Sequence, residues 1–367
     1  MSEDDALPEP DAAEGAPHPR HAGQVFGQAR AEAAFLEAFN GGRMHHAWLI
    51  SGPKGVGKAT LAWQIARFLL TQDGDSLFGP PGDLAVDPSA PVIARMAALA
   101  EPRLLLCRRP WDPKKKRLKT AITIDEVRKL KGFFNLSAAD GGWRVAIVDS
   151  ADELNPAAAN GLLKILEEPP EKVAILLVAH QPSKLLPTIR SRCRSLRCDT
   201  LDEAGMGKVL TQVGHADDMS PALAALSGGS PGQAIRLLAD EGVKLYGQII
   251  GLIGTAPNLD RRLALALADK CSARGNEGTY ALMVGLVSLA LVRLARFGAG
   301  LPMVEAAQGE LALAEKLAAN AVQARIWANL QQEISAKTTH ARVVNLDPAL
   351  VILDMFMRID KAARRAA

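Results

Sequence analysis

Gly52-Pro53-Lys54-Gly55-Val56-Gly57-Lys58 is a glycine-rich run of the form GxxxxGK, set between a short apolar segment at 46–50 and helical spacing at 60–70. That order constrains the fold more than any other feature of the 367 residues. A strand that ends on such a loop delivers it to the start of a helix. There, backbone N–H groups and the positive end of the helix dipole face an anion. The glycines let the backbone wrap a phosphate, and Lys58 reaches toward the outer phosphates of a nucleotide.

Two more apolar runs fit the same plan. Val145-Ala146-Ile147-Val148 ends in Asp149, and Ala174-Ile175-Leu176-Leu177-Val178-Ala179 ends in His180. Runs without polar alternation suit strands buried on both faces, as in a parallel sheet covered by helices. Helical spacing at 31–39, 124–134 and 156–168 separates the strands, so the first part of the chain is α/β. Strand signals stop near 200, and helices are expected at 259–270, 278–296, 306–341 and 348–363.

The resulting division is a segment at 1–22 too polar and proline-rich to pack, an α/β domain at 23–200, a small helical domain at 201–245 and a larger helical one at 246–367. Residues 72–120 hold seven prolines and read as an irregular insertion. Its run Lys114-Lys115-Lys116-Arg117 reads first as a solvated loop, with DNA or an acidic partner surface as the alternative.

Composition narrows the function. A net charge of +3 is too small for a nucleic-acid coat, so any such contact must be local. The four cysteines, Cys107, Cys193, Cys198 and Cys271, form no CxxC pair, which indicates neither a zinc module nor a disulfide framework and fits a reducing compartment. The acidic N-terminus does not read as a signal peptide. The apolar stretch at 280–294 falls short of a bilayer span and reads as a buried helix. A soluble cytoplasmic protein without a membrane partner is expected.

The loop departs from a complete hydrolytic site. Ala59 stands where a Ser or Thr hydroxyl would ligate Mg²⁺. Thr60 offers a hydroxyl one residue later, but one residue turns a helix by about 100°, away from the metal. Asp149 is placed to hold Mg²⁺ through water, yet Ser150 follows where ring ATPases carry the glutamate that polarises the attacking water. Asp152 and Glu153 are displaced and read as the polar start of the next helix. No general base remains in this motif.

The most distinctive stretches lie further on: Asn160-Gly161-Leu162-Leu163-Lys164-Ile165-Leu166-Glu167-Glu168-Pro169-Pro170, and Pro182-Ser183-Lys184-Leu185-Leu186-Pro187-Thr188-Ile189-Arg190-Ser191-Arg192-Cys193. With His45-His46-Ala47-Trp48-Leu49-Ile50 and Gly229-Ser230-Pro231-Gly232-Gln233-Ala234, they resemble the clamp-loader branch of the AAA+ ATPases, within it the delta-prime family of bacterial DNA polymerase III subunits. The resemblance is strong over about 25–238 and holds only in pattern beyond.

It implies an α/β P-loop AAA+ domain (a parallel sheet between helices), a small helical lid and a C-terminal all-helical collar. It also implies that Arg192, in Ser191-Arg192-Cys193, is an arginine finger for a neighbouring subunit's nucleotide, with Arg190 and Arg194 as weaker candidates. Gly232 stands where active members carry an arginine that senses the γ-phosphate, with Arg236 one turn on. His180 and Gln181 replace a Thr and its polar neighbour. Val25-Phe26-Gly27-Gln28 resembles the segment that cups adenine.

The implied nucleotide site is Gly52, Pro53, Lys54, Gly55, Val56, Gly57, Lys58, Ala59, Thr60 and Asp149. ATP there would be held weakly or left unhydrolysed, with Mg²⁺ only alongside nucleotide. Many bacterial relatives insert a four-cysteine zinc module after the loop helix; only Cys107 lies in that insertion here, so no zinc is expected. Implied partners are the loader's motor ATPase and delta-type subunit, with the sliding clamp and primed DNA reached through the complex. The implied function is support of ATP-dependent clamp loading for the DNA polymerase III holoenzyme during replication. The alternative is a competent AAA+ ATPase, like the loader motor or a recombination helicase. A small-molecule kinase lacks a recognisable acceptor site and leaves the helical C-terminus unexplained.

Overall fold

The computed structural model describes residues 8–12, 15–72, 80–135, 142–271, 277–344 and 346–366. They fall into two compact units, one of residues 1–216 with 229–233 and one of 217–228 with 234–367. The segment expected at 201–245 as one helical domain is thus shared between them.

The first unit runs α1 (Ala29–Asn40), β1 (Ala47–Ser51), α2 (Lys58–Thr71), α3 (Pro91–Ala97), β2 (Leu104–Arg108), β3 (Trp111–Asp112), β4 (Arg117–Leu118), α4 (Ile124–Asn135), β5 (Arg144–Asp149), α5 (Pro156–Glu167), β6 (Val173–Ala179), α6 (Pro187–Arg190), β7 (Arg194–Arg197) and α7 (Glu203–Gln212). Five strands form a parallel sheet in the order β2-β5-β6-β1-β7. Successive side chains of a strand point to opposite faces. Trp48 and Ile50 of β1 therefore join Phe35, Leu61, Trp63 and Phe68 on one side, while Ala47 and Leu49 join Val127, Leu130, Leu162 and Ile165 on the other. Every residue of β5 and β6 is buried, as their unbroken apolar runs require.

Neither edge strand shows as a buried apolar run in the sequence. β2 lies within the supposedly irregular insertion, and three of its residues, Leu104 to Leu106, are only half-buried. In β7 only Leu196 is buried, and the flanking arginines hide the strand pattern. The insertion also forms α3 and the antiparallel hairpin β3–β4. It is irregular only in part.

The N-terminal expectation also needs correction. Residues 1–7 and 13–14 lie outside the described residues, but 15–22 pack. Pro19–His21 form a 3-10 turn, and His18 is buried with its ring edge-on to Trp63 at 5.7 Å. Arg67 donates to the carbonyls of Pro19 and Arg20, both at 3.1 Å, and Asp11 pairs with Arg108 at 2.5 Å and with His18 at 3.1 Å. These polar partners lie far apart in sequence, so composition alone suggested disorder.

The second unit contains α8 (Pro221–Ser227), all of α9 (Pro231–Ala239) but its first turn, α10 (Gly242–Gly254), α11 (Arg261–Asp269), α12 (Glu277–Gly298), α13 (Glu310–Leu317), α14 (Ala321–Val343) and α15 (Pro348–Ala366). The helix expected at 306–341 is two. Asn320 caps α14 by accepting from the N–H groups of Val322 and Gln323, both at 3.0 Å, and so starts a new helix.

α12 is little longer than the helix expected at 278–296, but its apolar stretch outruns the expected 280–294. Its segment Gly278–Gly298, with mean hydropathy 1.7, is long and apolar enough to cross a membrane by length and composition. Its stripe Leu282, Met283, Leu286, Val287, Ala290, Leu291 and Leu294 is nonetheless buried, with α14 its principal neighbour. That is the packing of a bundle-core helix. Arg293 of the same helix pairs with buried Glu310 at 2.7 Å, and Tyr246 donates to the same carboxylate at 2.5 Å.

Candidate functional site

The parallel register sets the site at one edge of the first sheet. Ser51 at the end of β1 is level with Ala179 of β6, and Val178 is level with Asp149 of β5. Loop 52–58, Asp149-Ser150 and His180 therefore all leave the same edge, where the carboxyl ends of parallel strands make a crevice.

Gly57 is the N-cap of α2 with φ +98°, and no side chain caps its N–H groups. Those donors are arranged for an anion. Lys58 is buried, and its ammonium donates to the carbonyls of Gly52 at 2.8 Å and Pro53 at 2.5 Å. Burial pushes it down to about 8, against the opposing pull of Cys198 and Asp149. Moving this cation from its own loop onto a phosphate would exchange neutral acceptors for a charged one, a stronger bond.

The metal side is poorer. Burial pushes Asp149 up to about 7 despite a hydrogen bond from the Ser150 hydroxyl at 2.9 Å, so at neutral pH it is only partly ionised. With that proton committed, the Nε2–H of His180 donates to Ser150 at 3.0 Å. His180 is held neutral, its pKa lowered to about 4 by burial and by Lys58. Ser150, at the usual water-polarising position, is thus engaged by Asp149 and His180, while Nδ1 of His180 is buried without a partner among the described residues. Asp152 is also used internally: its carboxylate accepts from the N–H groups of His180 at 3.0 Å and Gln181 at 3.2 Å. Glu153 pairs with Arg109 at 2.8 Å. Ala59 adds no hydroxyl, so the residues fit a phosphate better than a metal-assisted reaction.

Two side chains brace the loop, and sequence reasoning gave them no such part. Gln28 donates to the carbonyl of Val56 at 3.0 Å and exchanges hydrogen bonds with the backbone of Asp199 at 2.9 and 3.0 Å. Ser230 donates to the carbonyl of Lys54 at 2.8 Å, and the N–H of Gly232 donates to that of Gly55 at 2.9 Å. A Cβ on Gly232 would meet Gly55 Cα at 2.9 Å, and one on Gly55 would meet Ser230 Oγ at 2.5 Å. The position where a sensing arginine was sought is closed to any side chain by this contact. The residues Gly229 and Ser230 gave the only hint.

Arg192 is elsewhere. β7 pairs with β1 through Trp48 and Arg194, and Arg192 precedes β7 by two residues. It stands at the opposite sheet edge, roughly 15–20 Å along the strands from loop 52–58 at about 3.3 Å per residue. The end of α5 meets that edge too, where His46 contacts the Leu166 carbonyl at 3.0 Å. Glu167 holds Arg192 at 2.9 Å, and Arg192 donates to the Thr188 carbonyl at 3.1 Å. The pair is well exposed, at 37% and 49% of the two side chains, so it orients the guanidinium at little energetic cost to release. Arg190 is exposed, and Arg194 lies over the Trp48 ring at 5.3 Å.

Cys107 lies buried in β2, its thiol pushed up to about 12 by burial. Among the described residues no group of three or more His, Cys, Asp or Glu could hold a metal.

The five-stranded parallel sheet with a GxxxxGK loop feeding α2 gives the first unit the architecture of a P-loop nucleotide-binding protein. Residues 27–202 match the family model described as DNA polymerase III, delta subunit. The DNA polymerase III subunit delta' of Pseudomonas aeruginosa is 38% identical over 204 residues, 54% of this chain and 57% of that protein. Its Escherichia coli counterpart is 32% identical over 203 residues, 55% and 57% of the two chains. The DNA polymerase III subunit gamma/tau of Mycobacterium bovis is 29% identical over 248 residues, 63% of this chain and 40% of that one. The chain is similar to DNA polymerase III delta-prime subunits over about half its length. It spans little more than half the length of the delta-prime relatives it matches.

Proposed function

We propose that this chain is a cytoplasmic clamp-loader subunit that supports ATP-dependent loading of a sliding clamp onto primed DNA, by offering Arg192 to the nucleotide of an adjoining motor subunit. The observation that carries the reading is the placement of Arg192 at the sheet edge opposite its own loop, too distant to serve it. A guanidinium delivered to a neighbour's phosphates would neutralise charge that develops during phosphoryl transfer, with effects of about 10³ to 10⁵ in rate for such fingers. Glu167 and the Thr188 carbonyl orient it before the partner docks.

In its own pocket the chain binds nucleotide at most weakly. The N–H groups at the start of α2 and Lys58 would hold phosphate, and ATP would supply only ligand charge there. Ala59, Ser150 and the partly protonated Asp149 leave Mg²⁺ and the attacking water without their usual anchors. Residues 246–367 serve as the collar that joins this subunit to the motor and delta-type subunits.

Reconstitution with those subunits tests the proposal. Arg192→Ala is expected to co-elute with its partners on size exclusion while DNA-stimulated hydrolysis falls sharply; an unchanged rate rejects the finger. Truncation after residue 247 is expected to abolish co-elution.

A further inference from the structure

The hairpin β3–β4 has no part in either edge described above. Trp111 pairs with Leu118 and Asp112 with Arg117, and the Lys119 N–H donates to the Pro110 carbonyl at 2.9 Å to close its base. It follows β2 directly, and Arg108 at the end of β2 is level with Asp149, so it leaves from the same sheet edge as loop 52–58.

Its charges are distributed unevenly. The cations at the base are neutralised: Arg108 pairs with Asp11 at 2.5 Å and Glu9 at 3.2 Å, and Arg109 with Glu153 at 2.8 Å. Those of the tip are not. Lys114, Lys115, Lys116, Arg117 and Lys119 are all exposed, and none has an ion-pair partner among the described residues. The carboxylate of the hairpin, Asp112, accepts from the backbone N–H groups of Lys114 at 3.0 Å and Lys115 at 3.2 Å, so it shapes the turn.

We infer that this hairpin is a docking rib for the phosphate backbone of double-stranded nucleic acid. Five like charges within six residues repel one another, and a polyanion that displaces small counterions relieves that repulsion. From Lys114 to Arg117 the tip carries no apolar side chain. Protein interfaces are depleted in lysine and organised around buried apolar or aromatic anchors, which this tip does not offer. Phosphate contact needs only cations, and a two-stranded β-ribbon fits the width of a duplex major groove. The contact is independent of base sequence, since lysines on phosphates read no base edges. It stands independently of Arg192.

The full-length protein and a fluorescein-labelled 30-base-pair DNA duplex of random sequence, followed by anisotropy from 50 to 200 mM salt, test it. Replacing Lys114, Lys115, Lys116 and Arg117 together by Ala is expected to weaken binding at least tenfold. It should also reduce the slope of log affinity against log salt by up to about 3.6, at roughly 0.9 per lost phosphate contact. A control removes the same charge elsewhere, with Arg261, Arg262, Arg325 and Lys361, all exposed, changed to Ala; it should alter affinity by less than about twofold. Matching circular dichroism melts show that both variants fold. Equal losses in the two variants, no detectable duplex binding at 50 mM salt, or equally tight binding of polyglutamate would each overturn the assignment.

Discussion

The two edges of the parallel sheet hold their charged side chains differently. At the carboxyl edge, Lys58 donates to its own loop carbonyls, Ser150 and His180 bond each other, and Ser230 fastens the loop from outside. At the amino edge, Arg192 is half-exposed and held by Glu167 and the Thr188 carbonyl. Lys58, Ser150 and Asp152 are engaged internally, while the Arg192 guanidinium remains accessible. A pocket can lose its chemistry without loss of the fold, because the hydrogen bonds that replace it are themselves stabilising.

The largest expected effect is at the amino edge. Arg192→Ala should slow hydrolysis at the site it serves by on the order of 10³-fold, measured by single-turnover assay in the reconstituted complex. Arg192→Lys should recover little, because a point charge lacks the planar fork.

The carboxyl edge should answer in stability. Asp149 is raised by burial from 3.8 to about 7, so the folded chain holds an extra proton between those values. Its contribution is complete below about pH 4 and is lost as pH rises through 7. Asp149→Asn should flatten that dependence and make the protein more stable at pH 8 by on the order of 1–4 kcal/mol in urea melts. A variant less stable than the parent at pH 8 would mean that the carboxylate is needed as a charge.

Smaller effects sharpen the contrast. Glu167→Gln keeps a hydrogen-bond acceptor but loses the charge that aims Arg192, and should reduce turnover by about two- to fivefold, the scale of an exposed ion pair. Assembly should be unaffected. Mg²⁺ should change nucleotide affinity of the isolated chain by less than about twofold in calorimetry, since Ala59 offers it no ligand. A tenfold Mg²⁺ effect would point to a working metal site.

What could be read in advance followed from locality. The loop, β5 and β6 announce themselves in contiguous residues because each is buried on both sides or has fixed backbone demands. β7 does not, since three of its four residues are exposed and two of them are arginines. The bracing of the loop joins Gln28 to Asp199, a separation of 171 residues, and Ser230 to Lys54, a separation of 176. Glu167 gave no sign of its bond to Arg192, because only the return of β6 and α6 brings them together. Even Gly232, first noted as a missing arginine, acquires its physical reason only once Gly55 is seen against it.

The account is tested most directly by comparing Lys58→Ala and Arg192→Ala, each reconstituted into the complete loader, for DNA-stimulated ATP turnover. Loss of turnover with Arg192→Ala and near-parental turnover with Lys58→Ala is the predicted result. The reverse pattern, with hydrolysis dependent on Lys58 and indifferent to Arg192, would contradict it.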